Sequence, residues 1–307
     1  MTTIYDVAII GSGIAGLSAS IYCARLNLKS IVIGSKIGGN LINASLIENY
    51  PGINKISGTG LIKKVTEHAK EYNLEILEED VEKISKEENT FKINTKKKEI
   101  LSKTIIFCTG TKLKKAGIKG EKEFAGKGVH YCALCDGFFY KDKTVAVFGG
   151  GDSAVKEAFL LSKYAEKVYI ISETKLKPEP INFQRLKKET KIEILEEIKV
   201  QEIKGDRFVN SIILNKKFKN SNLINLDGIF IEMGHLPISQ LAADIGVKTN
   251  ADKEIITDKN SQTNIKGIFA AGDVTNNKIK QAITAVGEAV KAAYSAYEYL
   301  HGEELNY

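Results

Sequence analysis

The stretch Tyr5-Asp6-Val7-Ala8-Ile9-Ile10-Gly11-Ser12-Gly13-Ile14-Ala15-Gly16 decides the fold. An apolar run of strand length ends on a glycine turn, and a helical pattern follows to about Leu26. Ser30-Ile31-Val32-Ile33 reads as a second buried strand. Strand, glycine turn, helix and strand in that order make the βαβ unit of a dinucleotide-binding fold. Each glycine has its own task. The first allows a tight turn, the second lets backbone N–H groups approach a pyrophosphate, and the third lets helix and strand pack closely. The helix N-terminus adds partial positive charge for the phosphates.

The unit recurs. Thr144-Val145-Ala146-Val147-Phe148 runs into Gly149-Gly150-Gly151-Asp152-Ser153-Ala154, then a helix to about Ala165 and a strand Lys167–Ile171. Gly149 stands 138 residues after Gly11. One glycine motif is weak evidence, but two in the same context specify an α/β protein with two Rossmann-like, three-layer nucleotide-binding domains. Between them the sequence predicts a helix over 59–72 and a hairpin-like region over 81–104, with Lys96-Lys97-Lys98 as a solvated turn. A buried strand, Thr104–Cys108, stops at Thr109-Gly110. Short strands are expected near 192–204, 208–214 and 227–231, a strand and turn over Gly267–Asp273, and an amphipathic helix over about 279–300.

Composition sets the class. The chain has 307 residues, of which 43% are hydrophobic and 27% charged. That apolar content suits a globular protein and excludes a disordered one. No run nears the roughly 20 apolar residues of a membrane span, and no signal-like pattern opens the chain. The expected location is the cytoplasm, with no membrane partner. Only three arginines occur, Arg25, Arg185 and Arg207, against 41 lysines, and the formal charge is +6. The lysines are dispersed and aromatics do not interleave with them, which argues against a nucleic-acid partner.

Four cysteines occur. Cys23 and Cys108 fall on the first helix and a central strand and read as core residues. Cys132 and Cys135 form a C-x-x-C followed by Asp136. Zinc needs four ligands, and His68, His130, His235 and His301 are scattered, so no metal is expected. A redox-active dithiol pair is the better reading beside a βαβ unit. Asp136 suits a general acid or base, although an aspartate before Gly137 also suits a plain turn.

These residues carry a resemblance. Gly11–Gly16, Gly38-Gly39-Asn40-Leu41, Glu48-Asn49-Tyr50-Pro51-Gly52, Cys132–Gly137, Gly149–Ala154, Gly234-His235-Leu236-Pro237 and Ala271-Gly272-Asp273-Val274 stand as in the low-molecular-weight thioredoxin reductases, which are FAD-dependent pyridine nucleotide-disulfide oxidoreductases. The chain resembles them over nearly its full length. The resemblance implies a second domain inserted into the first: FAD-binding over 1–113 and 246–307, and a nicotinamide-nucleotide-binding-like domain over 118–240 carrying the cysteine pair. The crossing segments are expected near 113–120 and 238–246.

It also implies site roles. FAD would meet Gly11, Ser12, Gly13, Ala15 and Gly16, with Ser35 after the second strand. Gly38, Gly39, Asn40, Leu41 and Asn49 would line the flavin, and Val81 would meet the adenine. Thr109 and Gly110 would approach the cofactor, Gly272 and Asp273 would hold its ribityl or phosphate region, and Lys280, Gln281 and Ala282 would lie near the flavin edge. Asn40 stands where the family usually has glutamine. Cys135 would face flavin carbon 4a, Cys132 would attack the thioredoxin disulfide, and Asp136 would move protons. A homodimer and thioredoxin-disulfide reductase activity follow from the same resemblance.

The donor site departs from the pattern. A nicotinamide nucleotide would meet Gly149, Gly151, Asp152, Ser153 and Ala154. The family's arginines for the 2′-phosphate of NADPH are replaced by Ser172-Glu173-Thr174-Lys175-Leu176-Lys177. Glu173 follows Gly149 by 24 residues, as Ser35 follows Gly11. A carboxylate there suits a ribose hydroxyl and repels a phosphate, by roughly 4 kcal/mol at 4 Å and an effective dielectric near 20. NADH is therefore expected over NADPH, unless Lys175 or Lys177 compensates. Reduced ferredoxin or a deazaflavin is the alternative donor, a glutaredoxin-like protein the alternative partner, and a flavin-binding redox sensor the reading without turnover.

Overall fold

The structure is a computed structural model that describes residues 3–44 and 46–302. The chain divides into two compact units, Met1–Lys112 with Leu236–Tyr307, and Leu113–His235. Both are Rossmann-like.

The first unit opens with β1 (Ile4–Ile10), α1 (Ile14–Arg25) and β2 (Ser30–Ile33). A 3-10 turn, Gly39–Asn43, leads to α2 (Gly58–Lys70) and β3 (Glu75–Leu77). Next come β4 (Val81–Glu87), β5 (Thr90–Thr95), β6 (Glu99–Phe107) and β7 (Thr111–Leu113). The lysine run 96–98 is exposed at the β5–β6 turn, where the Lys98 N–H donates to Thr95 Oγ1 at 3.0 Å.

The second unit holds β8 (Val129–His130), α3 (Ala133–Asp136), a 3-10 turn Gly137–Tyr140, β9 (Thr144–Phe148), α4 (Asp152–Ser162) and β10 (Lys167–Ile171). Then follow α5 (Pro180–Leu186), β11 (Ile192–Leu195), β12 (Val200–Gly205), β13 (Val209–Phe218), β14 (Ser221–Asn225) and β15 (Gly228–Ile231). The chain returns through β16 (His235–Pro237) and completes the first unit with α6 (Gln240–Asp244), β17 (Ile268–Ala270) and α7 (Ala282–His301).

Two sheets position the sites. In the first unit β3-β2-β1-β6 run parallel, with β17 beside the C-terminal half of β6 and the β5–β4 hairpin against its N-terminal half. In the second, β11-β10-β9-β15-β8 are all parallel, and β12-β13-β14 form a separate antiparallel sheet. The central strands are buried on both faces where they meet, which is why β9, β15 and the C-terminal parts of β1 and β6 read as apolar runs without alternation. Cys23 and Cys108 are buried in the first core, and burial pushes the Cys23 thiol up to about 12.

Some expectations shift. The last helix starts at Ala282 rather than near 279, because Gln281 caps it and exchanges hydrogen bonds with Thr284. β13 continues to Phe218 and pairs with β14, where the sequence predicted one strand ending near 214. Segment 113–120 belongs to the second unit, tied down by the buried Glu121, whose carboxylate accepts the N–H groups of Ala116, Gly117 and Ile118. Segment 238–246 belongs to the first, with Ala242 in its core.

Candidate functional site

The first site forms where β1 stops. Gly11 has φ 113°, and a Cβ on it would lie 2.2 Å from the Cys108 carbonyl oxygen. A Cβ on Gly16 would lie 1.9 Å from the Gly11 carbonyl oxygen. Only glycine lets β1, β6 and α1 come this close. Ala15, also on α1, touches the Gly272 turn: a Cβ on Gly272 would lie 3.1 Å from the Ala15 Cβ. Gly13 precedes α1, which has no side-chain cap and no acidic residue in its first turn. Across from it, Gly38 and Gly39 take positive φ values of 91° and 56°, Gly38 donates to the Ser12 carbonyl at 2.8 Å, and Gly13 and Gly38 form a bridge. Two glycine backbones thus flank an uncapped helix N-terminus, an arrangement suited to a pyrophosphate. The residues present fit FAD.

The other expected residues gather in the same unit. Asn49 Nδ2 donates to Gln281 Oε1 at 2.8 Å, joining two places 232 residues apart. Asn40 Nδ2 donates to the Thr111 carbonyl at 2.7 Å, so the shorter amide is held on the β7 backbone. Thr109 Oγ1 donates to the Ile238 carbonyl at 2.6 Å, beside Gly110 with φ 63°. Lys280 pairs with Glu254 at 2.9 Å and also reaches the Thr275 carbonyl. Leu41 lies in the 3-10 turn, Val81 opens β4, Asp273 follows β17, and Ala282 opens α7.

Two carboxylates here were not foreseen. Ser35 donates to Asp80 Oδ1 at 2.5 Å, so an acid absent from the end of β2 arrives from the β3–β4 connection. Glu288, on α7, accepts from the Gly272 N–H at 2.7 Å and from Thr275 Oγ1 at 3.0 Å, fixing the turn that carries Asp273.

The redox turn lies in the second unit. Cys132 and Cys135 form a disulfide with Cα atoms 5.4 Å apart. Cys132 caps α3, and its Sγ accepts the Cys135 N–H at 3.2 Å. Ala133, the first residue of α3, donates its N–H to Glu157 Oε1 on α4 at 2.9 Å. Asp136 is no plain turn aspartate: its Oδ2 lies 2.9 Å from His130 Nδ1. Phe138 and Phe139 are exposed beside it, with ring centroids 4.0 Å apart.

Glu157 has a partner in Glu232, just after β15. Burial, then the Glu157 charge and hydrogen bond, push Glu232 up to about 8, and burial raises Glu157 as well. At neutral pH Glu232 keeps its proton and donates it to Glu157.

At the second glycine turn, a Cβ on Gly149 would lie 2.2 Å from the Glu232 carbonyl oxygen. Gly151 precedes α4 and bridges Lys177, whose N–H donates to the Gly150 carbonyl at 2.8 Å. Asp152 Oδ1 accepts the Glu179 N–H and Asn182 Nδ2, each at 2.8 Å, while Oδ2 holds Lys156 at 2.7 Å. Burial pulls Asp152 upward, but these three partners overcome it and hold the carboxyl below its ordinary value. Ser153 is exposed on α4 and Ala154 is buried. Glu173 and Lys175 are exposed beyond β10, and Glu173 pairs with Lys199 at 3.5 Å. Among the described residues there is no cluster of three metal-ligating side chains, and no helix is long and apolar enough to cross a membrane.

A fold of two Rossmann-like units with a disulfide before the second glycine turn defines a class, and the comparisons agree. Residues 5–289 match the pyridine nucleotide-disulphide oxidoreductase family, and the chain belongs to it: it is a flavoprotein disulfide reductase. It is 37% identical to a thioredoxin reductase of Listeria innocua over 98% of this chain and 95% of that one. The thioredoxin reductase of Lactococcus lactis superposes with a TM-score of 0.92 at 38% identity, covering 97% of this chain and all of that one (100%). A ferredoxin-flavin thioredoxin reductase of Clostridium acetobutylicum is 35% identical over 98% of this chain and 99% of its own, with a TM-score of 0.55.

Proposed function

We propose that this protein reduces the disulfide of thioredoxin, with FAD held by the first unit and Cys132–Cys135 as the exchange pair. The observation that carries the reading is the Cys132–Cys135 disulfide at the start of a short helix, with Asp136 next to it. FAD, when bound, supplies two-electron transfer between a donor and this disulfide.

The chain's own residues do the rest. Gly13 and the start of α1 bind the pyrophosphate through backbone N–H groups, with Gly11 making the tight turn and Gly38 and Gly39 opposite. Ser12, Ala15 and Gly16 shape the turn, and Ser35 with Asp80 takes the ribose side. Asn40, Leu41, Asn49, Lys280, Gln281 and Ala282 line the flavin, with Val81 at the adenine, Thr109 and Gly110 close by, and Gly272 and Asp273 on the ribityl side. Cys132 attacks the incoming disulfide, Cys135 resolves the mixed disulfide, and Asp136 moves the proton. The resemblance to thioredoxin reductases also supports a homodimer acting in the cytoplasm.

NADH is the donor this reading favours. Gly149, Gly151, Asp152, Ser153 and Ala154 form an intact turn and helix start, and Glu173 offers a carboxylate to a ribose hydroxyl and opposes a 2′-phosphate. NADPH would have to rely on Lys175 and Lys177. Likeness to the Clostridium acetobutylicum enzyme, named for ferredoxin, supports a second reading in which reduced ferredoxin, or a deazaflavin, feeds the same pair.

The test adds NADH, NADPH, reduced ferredoxin or a reduced deazaflavin to the holoprotein without oxygen and follows bleaching of the flavin. NADH should bleach it fastest; no bleaching with either nicotinamide removes both from consideration. With a working donor and thioredoxin, Cys135→Ser should abolish turnover and leave the flavin bound. Turnover that survives the change removes the dithiol relay. Turnover with a glutaredoxin-like protein but not thioredoxin moves the assignment to that partner, and no turnover with any disulfide supports a sensor.

A further inference from the structure

His130 closes β8 two residues before Cys132. Its Nδ1 lies 2.9 Å from Asp136 Oδ2, and its Nε2 lies 2.7 Å from the Tyr140 hydroxyl. The side chain is 11% exposed. The ring stacks on Phe230 with centroids 5.2 Å apart and meets Tyr140 edge-on at 5.4 Å. Gly228 makes room for this arrangement, since a Cβ there would lie 2.4 Å from the Tyr140 ring. β8, α3, the 3-10 turn and β15 together leave the imidazole one orientation.

The hydrogen-bond directions follow. Burial first, then the charges of Asp136 and Asp227, push the Tyr140 hydroxyl up to about 12. Tyr140 keeps its proton; because the Asp136 carboxylate can only accept, the neutral ring places its N–H on Nδ1, and Nε2 accepts from the Tyr140 hydroxyl. Nδ1 then carries the imidazole N–H and donates it to the Asp136 carboxylate. One further proton can rest on either member of the pair, as imidazolium beside carboxylate or as imidazole beside carboxyl.

We propose that His130 is a positioning residue of the dithiol exchange: it holds Asp136 next to Cys135 and shares its proton, so that the Asp136–His130 pair receives and returns the exchange proton. The proposal rests on reading Cys132 and Cys135 as the exchange pair. The chemistry balances. Cys132 loses its proton to solvent, and its thiolate attacks a substrate disulfide, forming one S–S bond and breaking another; the released thiolate takes a proton back from solvent. Cys135 then gives its proton to the Asp136–His130 pair and attacks Cys132 Sγ. This re-forms the Cys132–Cys135 bond and releases the second thiolate, which takes the proton from the pair. Two thiols are oxidised and one disulfide is reduced to two thiols.

Other ionisable groups surround the line. Asp227 precedes β15 and binds the Thr144 N–H at 3.0 Å, the Lys143 ammonium lies 5.9 Å from the Tyr140 ring, Glu157 faces α3 from α4, and Glu232 follows β15. None of them stands between His130 and Asp136, whose direct contact makes the pair the unit to test.

The experiment uses the holoprotein, reduced beforehand and freed of reductant, mixed with hydroxyethyl disulfide in single turnover from pH 5 to 9. His130→Asn keeps an amide donor for Asp136 but cannot exchange a proton. It should lose an inflection present in the wild-type pH–rate profile and run about ten- to a hundredfold slower, within the range of general acid–base effects. Tyr140→Phe removes the donor to Nε2 and should move the inflection without abolishing it. Thermal melting of each variant reports folding independently. A His130→Asn profile of wild-type shape and rate overturns the proposal. So does equal slowing at every pH, which a purely structural role would give. Cys135→Ser in the same assay separates the failures: if it still turns over, the exchange-pair reading is wrong whatever His130 does.

Discussion

The two glycine turns are copies of one backbone design with different side chains around them. Gly11 donates to the Ile33 carbonyl at 2.7 Å, and Gly149 to the Ile171 carbonyl at 2.9 Å. Cys108 donates to Ile10, and Glu232 to Phe148, at 2.7 and 2.8 Å. Gly38 and Lys177 donate to Ser12 and Gly150, both at 2.8 Å. The backbone is therefore repeated nearly bond for bond. The side chains are not. Where the first turn has the buried thiol of Cys108, the second has the carboxyl of Glu232. Where the first has Gly16 against the Gly11 carbonyl, the second has Ala154. The first helix starts without an acid, whereas α4 starts with Asp152, tied to α5, and its turn adjoins Glu232, linked through Glu157 to the redox turn.

Substituting the turn glycines should have the largest effect. Gly11→Ala places a Cβ 2.2 Å from a carbonyl oxygen at φ 113°, and a loss of about 3–5 kcal/mol is expected, with loss of bound flavin. Gly149→Ala meets the same 2.2 Å clash against Glu232 and should destabilise the second unit while flavin content stays near wild type. Flavin absorbance and urea titration of both variants check this; equal flavin loss in both would break the comparison.

Next comes the donor side. If a nicotinamide is the donor, Glu173→Arg should swing the NADPH-to-NADH preference by about ten- to a hundredfold, or roughly 1.4–2.8 kcal/mol. Steady-state kinetics with each nucleotide reads the ratio, and an unchanged ratio would place the adenosine ribose away from the end of β10.

A smaller effect belongs to Glu232. Its folded-state value, near 8, stands above the ordinary 4.5, so the folded form binds the extra proton between those values. Stability therefore falls as pH rises from about 4.5 to 8 and levels off above. Glu232→Gln keeps a donor for Glu157 without the proton, and should gain about 1–2 kcal/mol by pH 8 and almost nothing below pH 5. Melting curves across that window test the sign; a gain independent of pH would refute it.

The smallest effect is at Asn182. Its side chain is buried and donates to Asp152. Asn182→Ala should remove about 1 kcal/mol. Because Asp152 is held below its ordinary 3.8, its contribution is present above that value and lost as pH falls through the lowered one. Acid unfolding of the variant should start at higher pH than that of wild type.

Much of this design is legible in the residues. β1 and β9 are apolar runs stopped by glycine, and α1 and α4 follow at once, so local periodicity suffices to place them. Cys132 and Cys135 are close in sequence, and a C-x-x-C is a local feature. The β13–β14 hairpin was only partly legible, because Lys216, Lys217, Lys219 and Asn220 cover its exposed end and mask the alternation. α5 carried a signal, Pro180 at its first position, that marks helix starts.

The partners of the polar groups were not legible. His130 stood among four scattered histidines, and its role emerges only when Phe230, 100 positions away, stacks on it and Asp136 closes from the next turn. Glu157 looks like any helix glutamate until β15 brings Glu232 beside it. Sequence alone determined two strand–glycine turn–helix units and a C-x-x-C pair, because strand, glycine turn, helix and C-x-x-C are patterns of near neighbours. Only the tertiary structure decided which carboxyl keeps a proton and which residue holds Asp136. Those outcomes depend on burial and on contacts between distant parts of the chain, which local periodicity does not encode.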